Sequence, residues 1–212
     1  VAEPFQPLQS CPGVRAAFIP RVPGVDVDAD RATALGRLAG PHEQALRAAG
    51  FDPAQLATAG QIHGAVVEIA LASGCHDGAD GLVTAEPRLV LGIYVADCAA
   101  VYLADRRGRA VGLVHSGRAG TELNITGRAI ALLGSEFGVE PADLTVEISP
   151  CIRPPLYETD FASTIAAQAR EAGAGEVLDR GICTGSDTAS WYSYRVERGR
   201  TGRMLAALAL EP

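Results

Sequence analysis

Lysine is absent from this 212-residue chain; all 18 basic residues are arginine. That absence excludes a lysine Schiff base and the lysine of a phosphate-binding P-loop. Histidine is scarce, with four in the chain. The five cysteines (Cys11, Cys75, Cys98, Cys151 and Cys183) are odd in number, far apart and never spaced as CxxC. A disulfide framework is not expected, and the cysteine usage fits a reducing, cytoplasmic setting. No apolar run reaches the roughly 18 residues of a membrane helix, so no membrane partner is expected. The opening VAEPFQPLQSCPGV lacks a basic segment followed by an apolar one, and no secretion leader is expected. GxSxG, GxGxxG and HExxH are all missing, which removes the hydrolase elbow, the dinucleotide fingerprint and the zincin helix. A net charge of -7 argues against a nucleic-acid partner.

What is present is a core. With 48% hydrophobic and 20% charged residues, 212 residues bury enough surface for one domain rather than a disordered chain. Residues 1–13, rich in Pro and Gln, read as a loose arm. Val14–Pro20 reads as a first strand, and a helical pattern starts near Ala29. Pro41 at a first helical position and Gly50 beyond the last turn bracket a helix over HEQALRAA, with His42 on its exposed surface. Short apolar segments follow at Leu56–Ala59 and Ala65–Ala70. The glycine-rich stretch Ser73–Asp80 reads as a flexible loop carrying Cys75 and His76. Gly81–Thr84 and Arg88–Ala96 read as strands.

Two apolar runs, Ala99–Ala104 and Ala110–His115, flank the turn Asp105–Arg109 and predict a β-hairpin. Thr121-Glu122 opens a helix through Phe137, with Leu123, Ile130, Leu133 and Phe137 on one face and Gly138 ending it. Leu144–Ile148 is a further strand. Asp160 caps a helix to Glu171, and the chain closes on an apolar strand. Trp191–Tyr194 reads as core. Strands outnumber helices, which are scattered among them, so the expected class is α/β with sheet packed on sheet and helices outside.

The hairpin pairing brings Cys98, at the start of one strand, beside His115, at the end of the next. With His63 they make two imidazoles and a thiol near strand ends. That donor set suits a catalytic zinc with an open position, although the 35- and 17-residue separations match no local zinc motif. The same residues also read as buried histidines and an inert core cysteine. Cys98 beside His115 equally suits a nucleophile–base pair. Asp97 reads either as a turn aspartate or as a group that orients a ligand. Arg118, ahead of a helix in Ser-Gly-Arg-Ala-Gly, is a candidate anion contact. Arg153 is placed at the border of the same pocket.

At Gln61-Ile62-His63-Gly64, Ala79-Asp80-Gly81-Leu82-Val83-Thr84, Ala96-Asp97-Cys98 and Val114-His115-Ser116-Gly117 the sequence resembles the laccase-domain (polyphenol-oxidase-like) proteins. These are also described as purine nucleoside phosphorylases with deaminase activity. SPCIRPPLYETD, CTGSDTASWYSYR and TGRM continue the family's pattern in order to the C-terminal strand. The resemblance implies a single-domain layered α/β/β/α fold with mixed sheets. It implies zinc, or copper in the laccase reading, held by His63, Cys98 and His115. It further implies phosphorolysis of a purine nucleoside by phosphate, or deamination of adenosine. Asp97, Cys98 and Arg118 are then the expected catalytic residues. The chain departs from the family where HAGWRG becomes His115-Ser116-Gly117-Arg118-Ala119-Gly120, and where ADCxPV becomes Ala96-Asp97-Cys98-Ala99-Ala100-Val101. Copper-dependent phenol oxidation is disfavoured, because a multicopper oxidase draws on many more histidines than four. The same donors also suit a metal-free cysteine hydrolase using Cys98 and His115, or a metal-binding module without catalysis.

Overall fold

The computed structural model describes residues 5–9 and 11–211. Its strands form two sheets. The first is ordered β1 (Val14–Ile19), β11 (Met204–Leu210), β6 (Val90–Val95), β2 (Leu56–Ala59) and β4 (Gly74–His76). The second is ordered β10 (Glu176–Asp179), β9 (Leu144–Ile148), β7 (Ala99–Asp105), β8 (Val111–Ser116), β5 (Gly81–Thr84) and β3 (Val67–Ile69). Both are mixed: β2 runs parallel to β4 and β6, and β3 parallel to β5, among antiparallel neighbours.

The two-residue period of a strand sorts the side chains into layers. On β11, Met204, Ala206 and Leu208 face the six-stranded sheet, while Leu205, Ala207 and Ala209 face outward. On β7, Ala100, Tyr102 and Ala104 point into the space between the sheets, and Ala99, Val101 and Leu103 point away from it. Strands buried on both faces read as continuous apolar runs, which is what the sequence has there. Tyr102 crosses the inter-sheet layer and its Oη donates to the Ala17 carbonyl on β1 at 2.7 Å.

Helix α1 (Arg31–Ala48) covers the outer face of the five-stranded sheet through Leu46, beside Ile19, Val90 and Leu205. Helices α3 (Ile125–Phe137) and α4 (Phe161–Glu171) cover the other outer face with Ile125, Ile130, Leu133, Ile165 and Ala169. The result is the expected α/β/β/α layering. Asp160 caps α4 by accepting from the Ser163 backbone N–H, and Gly138 ends α3 in the left-handed region.

Several expectations are corrected. Pro41 does not open a helix. Helix α1 starts ten residues earlier, capped by Asp30, and runs through the proline. The buried positions Ala34, Leu38, His42 and Leu46 recur every fourth residue across it, so packing outweighs the lost backbone hydrogen bond. That continuity turns His42 inward, and it is buried rather than exposed. The helix expected from Thr121 to Phe137 is two helices. A short α2 (Arg118–Glu122) precedes α3, and Asn124 between them sits at φ 54° and caps α3 through Gly127 N–H. Leu123 is therefore exposed instead of lying on the apolar face.

The segment Ser73–Asp80 holds the edge strand β4 in place of the expected flexible loop, with His76 Nδ1 3.1 Å from Glu68. The described residues of the expected loose arm are packed: Phe5, Leu8 and Cys11 are buried, and Leu8 N–H donates to the fully buried Glu147 at 2.6 Å. Residues 1–4 and 10 of that arm lie outside the described residues. Trp191 and Tyr192 are core as expected, but Tyr194 is exposed.

Candidate active site

The hairpin forms in the expected register, with Ala100 opposite His115 and Ala99 opposite Ser116. Cys98 therefore enters β7 next to the end of β8. His63 joins them from the connection between β2 and β3, a loop rather than a strand edge, held at φ 63°. One ligand-type atom from each of His63, Cys98 and His115 lies within 4.8 Å of the others. The two imidazole rings meet edge to face with centroids 4.9 Å apart. One thiol and two imidazoles fit a zinc-type ion with one position left open.

Asp80 organises this cluster. It is fully buried on the connection between β4 and β5. Oδ1 accepts from His63 N–H at 2.9 Å, and Oδ2 from Gly64 N–H at 2.7 Å. Oδ1 also lies 2.9 Å from His115 Nδ1. Although burial pushes the Asp80 carboxyl up, these donors hold its pKa below the usual carboxylate value. An ionised carboxylate can only accept, so His115 Nδ1 carries the proton and Nε2 is the atom free for the cluster. The motif containing Asp80 is recognisable in the sequence, but nothing local shows that its carboxylate reaches two other segments.

Charges in the cluster are coupled. Burial raises the Cys98 thiol, yet hydrogen bonding to His115 and His63 outweighs it and holds the pKa at about 6. Burial lowers His115, but Asp80 and Cys98 together raise it to about 9. A thiolate beside a protonated imidazole is the resulting pair when no ion is present. Gly117 borders Cys98 because a Cβ there would lie 2.5 Å from Sγ.

The cluster opens into a cavity of about 760 Å³. Tyr94, Tyr157, Phe161 and Tyr194 line it, as do Asp97, Ile152 and five arginines: Arg31, Arg118, Arg195, Arg198 and Arg203. Gln61 fixes the His63 loop to β6, its amide donating to Tyr94 O at 2.6 Å and accepting from Tyr94 N–H at 2.9 Å.

Asp97, at φ 79°, accepts from Thr184 Oγ1 at 2.7 Å, Ser193 Oγ at 3.1 Å and Arg195 N–H at 2.7 Å. It thereby ties the start of β7 to the C-terminal segment. Arg118 heads α2 and lines the cavity, but it pairs with Glu122 at 3.0 Å and approaches Glu158 at 3.8 Å. Arg153 does not border the pocket as expected. It turns to Asp179 and the Ile182 carbonyl, and Ile152 lines the cavity instead. Cys151 is buried, its thiol pushed up to about 12 by desolvation, which leaves it inert. Tyr94, Phe161, Arg31 and Arg198 fall in no motif; Tyr157, Tyr194, Arg195 and Arg203 lie in SPCIRPPLYETD, CTGSDTASWYSYR and TGRM, but nothing local shows that they line a cavity.

Known proteins extend these observations. A family model described as multi-copper polyphenol oxidoreductase laccase matches residues 36–162 and 157–211. A protein of Deinococcus radiodurans named purine nucleoside phosphorylase is 34% identical over 191 residues, covering 77% of this chain and 73% of its own. Purine nucleoside phosphorylase YlmD of Geobacillus stearothermophilus is 29% identical over 188 residues, covering 69% of each. The crystal structure of YlmD superposes with a TM-score of 0.81 at 23% identity over 95% of this chain and 93% of that one. That of the hypothetical protein YfiH from Bacillus licheniformis gives 0.82 at 21% over 93% of each. At these identities the structures establish a common fold. The family match over most of the chain, together with a relative at 34% identity, makes this protein a member of the laccase-domain, or multi-copper polyphenol oxidoreductase laccase, family.

Proposed function

We propose that the protein is a zinc-dependent enzyme acting on purine nucleosides, by phosphorolysis, by adenosine deamination, or by both. The observation that carries the reading is the convergence of His63, Cys98 and His115 at a cavity with aromatic and arginine walls. The naming of relatives as purine nucleoside phosphorylases supports the choice of substrate. Zinc held by these three side chains supplies a Lewis acid facing the cavity.

The chain's own residues do the rest. Tyr94, Tyr157, Phe161 and Tyr194 offer faces and edges to a flat purine. Asp80 keeps His115 in one tautomer and His63 in one backbone position, so the donors need no rearrangement when the substrate arrives. Asp97 holds the C-terminal segment, and with it Tyr194 and Arg195, against the cavity. The arginines supply positive charge for an anionic co-substrate. In phosphorolysis a phosphate oxygen bonds to the ribose anomeric carbon as the bond to the purine nitrogen breaks, and the purine leaves with that electron pair and takes up a proton. In deamination water adds at the purine C6 and ammonia leaves.

Elemental analysis of wild type, His63→Ala and Cys98→Ala tests the reading, followed by adenosine and inosine turnover with phosphate. One zinc per wild-type chain is expected, lost in both variants together with turnover. The lowered Cys98 thiol and raised His115 imidazole favour one second reading, a metal-free cysteine hydrolase. Undiminished turnover by chelator-stripped protein, abolished by iodoacetamide at Cys98, would select that reading instead.

A further inference from the structure

Four arginines are half-buried in this fold: Arg21, Arg109, Arg153 and Arg203. Three of them meet carboxylates. Arg21 pairs with Glu197 at 2.5 Å, Arg109 with Asp105 at 2.6 Å and Asp143 at 2.9 Å, and Arg153 with Asp179 at 2.5 Å. Among the described residues Arg203 meets none. Its Nη1 donates to the carbonyls of Thr201 at 3.1 Å and Gly202 at 2.9 Å. Its guanidinium carbon lies 5.8 Å from the Tyr194 ring centroid. Nε and Nη2 have no acceptor among the described residues, and the side chain lines the cavity. These two nitrogens form one edge of the guanidinium, the edge that takes two oxygens of one anion side by side.

A cation withdrawn from water with no counter-charge at contact distance is costly, and burial holds the Arg203 guanidinium below its ordinary pKa, the more remote Cys98, Tyr194 and Asp97 offsetting only part of it. Arg31, on the same cavity wall and also without a carboxylate partner among the described residues, pushes it in the same direction. Of the other three cations of the cavity, Arg198 also meets no carboxylate among the described residues but is exposed, and two are paired. Arg118 is held by Glu122, and Arg195 by Glu158 at 2.7 Å. Their charge is already answered within the protein.

We propose that Arg203, assisted by Arg31, is the anion subsite of the cavity and takes a phosphoryl group, in place of Arg118. The choice of a phosphoryl group over other anions rests on the nucleoside reading above. The group comes either from inorganic phosphate or from a phosphate monoester on the substrate itself.

Isothermal titration with inorganic phosphate tests this on the full chain as wild type, Arg203→Gln, Arg203→Lys and Arg118→Gln. Wild type and Arg118→Gln are expected to bind with similar Kd. Both Arg203 variants should weaken binding by roughly tenfold to a hundredfold, since a charged two-pronged contact is lost. Arg203→Lys keeps the positive charge and carries the test if the Gln variant does not fold. Wild-type affinity in Arg203→Lys, loss in Arg118→Gln alone, or no phosphate binding by wild type overturns the proposal.

Kinetics separate the two sources. If the anion is inorganic phosphate, Arg203→Lys raises the KM for phosphate with inosine. If the substrate carries it, the KM for inosine 5′-monophosphate rises. Absence of turnover on nucleosides and nucleotides, with phosphate binding still dependent on Arg203, would refute the proposed reaction and leave the subsite standing. Nucleoside turnover with phosphate binding indifferent to Arg203 would do the reverse.

Discussion

His42 sets up a measurable acid sensitivity. It lies 3% exposed between α1 and β6, its ring tilted against Tyr94 with centroids 5.7 Å apart. Neither ring nitrogen has a hydrogen-bond partner of good geometry among the described residues. Burial disfavours the charged imidazolium and, outweighing a smaller opposing contribution from the Arg203 backbone, lowers the pKa from 6.5 to about 4. The unfolded chain therefore takes up a proton before the folded one does. The stabilisation is complete above the unfolded value and is lost as pH falls from about 6.5 towards 4. Across that drop, at about 1.4 kcal/mol per pH unit, the full loss is about 3 kcal/mol, and about 2 kcal/mol is gone by pH 5.

Other groups titrate in this range, so the informative quantity is the difference between wild type and His42→Leu in urea unfolding at pH 7, 6 and 5. Leucine has a similar reach and no titrating group. The gap between the two free energies should move by about 2 kcal/mol in favour of the variant between pH 7 and 5. Parallel pH profiles for the two proteins would show that His42 is either partnered or accessible, and the reasoning from its burial would fail.

Removing the shared carboxylate in Asp80→Asn should weaken zinc binding by about tenfold to a hundredfold in a chelator competition titration, because His115 and His63 lose their common anchor. Gly117→Ala places a methyl group 2.5 Å from Cys98 Sγ. Since φ is -94° there, alanine suits the backbone, and the expected outcome is lost zinc stoichiometry with an unchanged far-UV spectrum. Tyr102→Phe removes the hydroxyl that spans the two sheets to Ala17 O. It should cost about 1 kcal/mol in denaturant unfolding, as a part-buried carbonyl loses that donor.

The residues differ in how far their surroundings are local. The β7–β8 hairpin is legible because its partners are separated by one short turn, and its register alone puts Cys98 beside His115. The layering follows from apolar runs that strands bury on both faces. What the sequence does not show depends on distant neighbours. His42 turns inward only because α1 continues through Pro41, and that is decided by the sheet beneath it. Asn124 breaks a helix whose apolar period continues on both sides. Asp80 acts on two segments 16 and 35 residues away. Arg203 lies in the legible TGRM motif, but its lack of a carboxylate shows only when those around every other half-buried arginine can be seen. The three-donor cluster is visible as residue types, and the cavity it faces is not.

Three connections leave the five-stranded sheet and enter the six-stranded one at this site. β2 passes to β3 through His63, β4 to β5 through Asp80, and β6 to β7 through Asp97 and Cys98. Each crossing is fixed at one end to one sheet and at the other end to its opposite. A slide of the sheets over one another would thus shift His63, whose loop Gln61 ties to β6, against Cys98 and His115, which sit at the ends of paired strands of the six-stranded sheet. The donor cluster therefore works as a vernier for sheet alignment. A repacked residue far away in the inter-sheet layer, such as Ile93 or Leu208, can detune metal affinity without touching any ligand.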